Sequence, residues 1–87
     1  MVNYNRLPRG LVGGMKRYLE DGIIPGSFLR AVLENNLSES FAQADLENRA
    51  RMHDIVMFLY NDIPMDAWGS PEKVQKWAEE RQNERST

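Results

Sequence analysis

The chain reads as an all-α protein, a compact bundle of four to five short helices. Three observations predict this class. Apolar residues recur three and four positions apart wherever their spacing is regular, no segment alternates apolar and polar residues as a strand does, and cap or turn residues divide the chain into short pieces.

The elements follow in order. Residues 1–7 lack periodicity and are expected to form a flexible arm ahead of a single helical domain over residues 8–80. Pro8 suits the first position of a helix whose apolar positions are Leu11, Met15, Tyr18 and Leu19, with Gly22 as the left-handed residue that ends it. Gly10, Gly13 and Gly14 weaken that helix, each by about 1 kcal/mol relative to alanine. Pro25-Gly26-Ser27 turns the chain into a second helix carrying Phe28, Leu29, Val32 and Leu33, closed by Asn35-Asn36. Ser38 is the expected cap of a short third helix that points Phe41 and Ala44 inward. Asp45 then leads into one long helix, Leu46 to about Asn61, whose half from Ile55 to Tyr60 is apolar all round and is expected to be buried on most sides. After a loop from Asp62 to Gly69, Ser70-Pro71-Glu72 starts a last helix with Val74, Trp77 and Ala78 on its inner stripe, and residues 81–87 are expected to fray as a polar tail.

Composition narrows the chemistry. With 87 residues and no cysteine, the domain has neither disulfides nor thiolate metal ligands to supplement a small core, and the single histidine, His53, cannot hold a metal alone. Self-association is the remaining supplement, so a homo-oligomer is expected. No cofactor is expected. The longest apolar run is too short to span a bilayer and no secretory signal pattern opens the sequence, so the expected setting is cytoplasmic, with no membrane partner.

The net charge of −2 is unevenly spread. Residues 1–19 carry Arg6, Arg9, Lys16 and Arg17 and no acid, whereas residues 20–66 carry nine acids against Arg30, Arg49 and Arg51. Such polarity suits capture of a small anion near the N-terminus or charge pairing between protomers, and an acidic chain argues against broad nucleic-acid binding. The glycines beside these cations have two readings: bare backbone approaching a phosphate, or close approach of another helix. The adjacent acids Glu20-Asp21 and Glu79-Glu80 do not face each other on a helix, His53 and Asp54 are neighbours that diverge, and the serines are explained by caps and turns. No catalytic role is filled, so the chain is not read as an enzyme. Trp68-Gly69-Ser70-Pro71 places an aromatic ring before a capped helix start, where it either stacks a planar ligand or covers the core.

Pro25-Gly26-Ser27-Phe28-Leu29, Ala31-Val32-Leu33, Asn35, Ala44-Asp45, Asn48, Phe58-Leu59-Tyr60-Asn61, Pro64 and Trp68-Gly69-Ser70-Pro71-Glu72-Lys73-Val74 together resemble a group of small proteins encoded by tailed phages and prophages. The resemblance covers about residues 10–78. It implies an accessory phage protein that acts inside the bacterium, modulating or countering a host defence by binding a host factor. Two alternatives stand beside it. One is a homo-oligomeric sponge that sequesters an anionic nucleotide signal, with Arg6, Arg9, Arg17, Tyr18, Arg30, Trp68 and Ser70 as its ligand-binding residues. The other is a structural or regulatory component of the lytic programme.

Overall fold

The computed structural model describes residues 2–86, which form six α-helices and no strand. They are α1 (Arg9–Asp21), α2 (Ser27–Leu33), α3 (Leu37–Gln43), α4 (Leu46–Ala50), α5 (Met52–Asp62) and α6 (Pro71–Ser86). Short 3₁₀ turns occupy Tyr4–Arg6 and Met65–Ala67.

The helix ends follow from local chemistry. Gly22 closes α1 at φ 73°, its N–H reaching back to the Tyr18 carbonyl at 3.0 Å. An added Cβ there would collide with the Ala78 carbonyl oxygen and lie 2.8 Å from the Arg81 Cβ, so glycine is what lets α1 and α6 pack together. Asp45 caps α4 through the Asn48 amide at 2.8 Å, and Ser70 Oγ caps α6 through the Lys73 amide at 3.2 Å.

The core is continuous, built from Met15 and Tyr18 of α1, Phe28, Leu29, Val32 and Leu33 of α2, Ile55, Phe58 and Leu59 of α5, and Val74 of α6. Tyr18 is fully buried and its hydroxyl donates to the Ala67 carbonyl at 2.6 Å. The Trp77 indole N–H donates to the Tyr18 carbonyl at 3.2 Å, so the first and last helices are also joined by hydrogen bonds.

Several expectations need correction. The bundle has six α-helices rather than four to five, because the long helix expected over Leu46 to Asn61 is two: its backbone bends at Arg51, φ −107° and ψ 17°. The third helix starts at Leu37 on an Asn36 cap, not on Ser38. In that phase Ser40 and Ala44 face the core, four residues apart, and Phe41 is left 40% exposed. The apolar half of α5 is not covered all round either. Ile55, Phe58 and Leu59 are buried, while Tyr60 is 69% exposed.

The segment expected as an arm is docked over its described part. Tyr4 lies on Phe58 with ring centroids 6.0 Å apart, Leu7 is buried, and Arg51 donates to the Arg6 carbonyl at 3.1 Å. The expected frayed tail is helical through Ser86, held at its start by Gln82 donating to the Gly22 carbonyl at 2.8 Å and by Arg81 lying 4.1 Å over the Trp77 ring. Met1 and Thr87, the outer residues of those two segments, lie outside the described residues.

Candidate binding cleft between the first two helices

One face of α1 presents Gly10, Leu11, Gly14 and Arg17 to the turn that begins α2, and the space between them is a cleft of about 330 Å³. Pro25, Phe28 and Leu29 add apolar wall, and Asn48 of α4 completes the lining. That volume falls at the lower end of the range of small-molecule sites, about 300–1,000 Å³.

Asn48 is the unusual member. It is 9% exposed, and although its amide is held by Asp45, its carboxamide makes no hydrogen bond within the described residues. The carboxamide is not among the buried polar atoms that lack a partner, so it is open to the cleft, where it can meet a ligand's donor or acceptor edge.

The glycines belong to the same arrangement. No other backbone comes within 4 Å of a Cβ added at Gly10, Gly13 or Gly14, so close helix packing does not explain them. At Gly10 there is open space; at Gly14 a Cβ would make ordinary contacts with Leu29 and Pro25; at Gly13 it would stand 3.2 Å from the Arg17 guanidinium. Gly13 thus lets the Arg17 side chain fold back over its own helix. Arg17 has no carboxylate partner among the described residues, and neither do Arg6, Arg9 and Lys16. At the turn into α2, Gly26 supplies no side-chain cap, so the first-turn amides have no side-chain acceptor.

The residues singled out from sequence do not meet in one place on a single chain. Arg17 alone of them lines this cleft. Arg6 belongs to a separate hollow with Arg51, His53, Asp54 and Met57, and Arg30 to another, where it pairs with Glu34 at 2.9 Å. Arg9 is exposed on α1 and lines none of these hollows. Tyr18 cannot stack a ligand, because it is buried and bonded to Ala67; burial, then the Glu34 carboxylate, pushes its phenol well above the ordinary range. Ser70 uses its hydroxyl as the α6 cap, and Trp68 stands half-buried beside Tyr60.

Asn48 was not singled out for binding by sequence reasoning. An asparagine three residues after a helix-capping aspartate looks like any polar helical residue until its burial is known. Among the described residues no three histidine, cysteine or acidic side chains are grouped to hold a metal, and no helix is long and apolar enough to cross a membrane. No protein-family model, curated protein or solved structure matches the chain.

Proposed function

We propose that this is a non-enzymatic accessory binding protein of a tailed phage or prophage, which counters a host system by capturing a small anionic host molecule of the nucleotide class in the α1–α2 cleft. The phage setting rests on the sequence resemblance. The ligand class rests on the cleft, and one observation carries it: the Asn48 carboxamide, free of hydrogen bonds among the described residues, lines the same cleft as Arg17, which has no carboxylate partner among them. An asparagine carboxamide matches the paired donor and acceptor of a nucleobase edge, and a guanidinium matches a phosphate. Leu11, Phe28 and Leu29 supply apolar wall for a ring.

Self-association is part of the proposal. Arg6 and Arg9 lie outside the cleft of their own chain, and a second protomer is the simplest source of further cations around a ligand. Leu37 and Leu46, both at least 66% exposed, give such an assembly apolar surface to bury.

A thermal-shift screen of mononucleotides and cyclic dinucleotides tests the reading. A captured nucleotide raises the melting temperature of the parent by mass action. Arg17→Ala and Asn48→Ala should remove that rise. Asn48→Ala should itself fold about as stably as the parent, because no side-chain hydrogen bond is lost. If no nucleotide shifts the parent, the cleft is not a nucleotide site. The exposed apolar residues then favour the second reading, in which a host protein docks on Leu37, Phe41, Tyr60 and Met65.

A further inference from the structure

A second, smaller hollow lies where the corner between α2 and α3 meets the loop ahead of α6. Asn35, Tyr60, Met65, Trp68, Gly69 and Lys73 line it, and it encloses about 170 Å³. Its backbone frame is fixed. Asn35 stands at φ 61° and Gly69 at φ 121°, and the Gly69 N–H donates to the Leu33 carbonyl at 2.7 Å, fastening the loop to the end of α2. A non-glycine residue in the left-handed region is uncommon and is kept where the surrounding structure over-determines it.

The side chains are set for an aromatic guest. Tyr60 meets Trp68 edge-on, ring centroids 5.1 Å apart and planes at 82°, yet Tyr60 remains 69% exposed. Two such rings at right angles form a corner in which a third ring can meet one by its face and the other by its edge. The polar groups at the corner include three donors. Lys73 Nζ makes one long bond of 3.4 Å to the Met65 carbonyl, the Trp68 indole N–H and the Asn35 carboxamide have no hydrogen-bond partner within the described residues, and no carboxylate lines the hollow. Size suits a single ring: a cavity of about 150 Å³ holds benzene, and this hollow is slightly larger.

We propose that this hollow is a second binding site, for a single aromatic ring bearing a carboxylate, with the ring in the Tyr60–Trp68 corner and the carboxylate on Lys73. The site is independent of the α1–α2 cleft and shares no lining residue with it. A free aryl acid and the C-terminal aromatic residue of a peptide offer the same chemistry, and the experiment separates them.

The test is a titration of the ¹⁵N-labelled full chain with 4-hydroxybenzoate in one arm and N-acetyl-phenylalanine in the other, read by NMR. The two tryptophans give separate indole N–H signals, and that of Trp77 is committed to the Tyr18 carbonyl. The Trp68 indole and the Gly69 and Lys73 amides should shift saturably while the Trp77 indole stays in place. Lys73→Met should weaken binding by about tenfold, the loss of one charge-assisted contact, and Tyr60→Ala should abolish saturation. Both positions are exposed, so the folded spectrum should survive either change. Saturation by the acid alone assigns the site to a free aryl acid, and saturation by the acetylated amino acid alone assigns it to a peptide terminus. A Trp68 signal that moves in neither arm, or that moves alike in the parent and in either variant, overturns the proposal.

Discussion

At Gly22 an added methyl group would run into the Ala78 carbonyl oxygen, whereas at Gly10, at the other end of the same helix, it would meet nothing within 4 Å. The two halves of α1 differ accordingly. The C-terminal half carries Met15 and Tyr18 into the core and seals against α6; the N-terminal half sets Gly10 and Gly14 beside an open cleft. Glycine is a packing requirement in one half and a standing cost to helix stability in the other. The contrast separates what holds the fold from what the fold leaves available to a ligand.

The strongest way to break the contrast is Gly22→Ala. The change forces a side chain into left-handed backbone, costing about 1–2 kcal/mol, and overpacks the α1–α6 contact, costing about 1–3 kcal/mol more. The melting temperature should fall by roughly ten degrees or more, since each kcal/mol is worth about 4–8 °C in a domain of this size. A thermal melt within two or three degrees of the parent would show that the two helices do not depend on this glycine.

Tyr18→Phe probes the same half more gently. It deletes the 2.6 Å bond to a fully buried carbonyl group and should cost about 1–3 kcal/mol at neutral pH. The pH dependence has a definite sign. The folded phenol titrates above the unfolded one, so its contribution is complete below about pH 10 and is lost as pH rises beyond that. Denaturant melts of parent and variant between neutral and strongly alkaline pH should therefore converge. A stability gap that widens with alkali would contradict the burial of this hydroxyl.

Gly14→Ala gives the smallest effect and the opposite sign. Its Cβ finds only van der Waals contacts, so the variant should be more stable by about 0.5–1 kcal/mol. A loss of stability would mean that the helix needs bare backbone at Gly14 for packing after all.

These positions also show what could be read before the structure. The end of α1 at Gly22 and the start of α6 at Ser70-Pro71 were legible, because a left-handed stop and a capped proline start are written in single residues. The bend at Arg51 was not, since no glycine or proline lies in the sequence between Asp45 and Ile63. Burial of Ser40 instead of Phe41 escaped for a related reason: a shift of the cap from Ser38 to Asn36 changes which face of a two-turn helix points inward. At the candidate site, Arg17 and the glycines stood out as charge and composition. Convergence did not, because Arg6, Arg9 and Arg30 are carried to other parts of the surface by elements whose packing no local pattern encodes.

The joining of the first helix to the last also bears on how the protein is made. Tyr18 takes its partners from Ala67 and Trp77, and the α1 terminus rests on Ala78. While the ribosome is still adding the residues after Gly69, the growing chain lacks Val74, Trp77 and Ala78, which close the α6 side of the core, and at about 5–20 residues per second that interval is short but recurs with every copy. Completion of the last helix is therefore the step that turns a nascent chain with bare apolar surface into a closed protein. A message cut before the Trp77 codon yields a product without the contacts that join its first helix to its last.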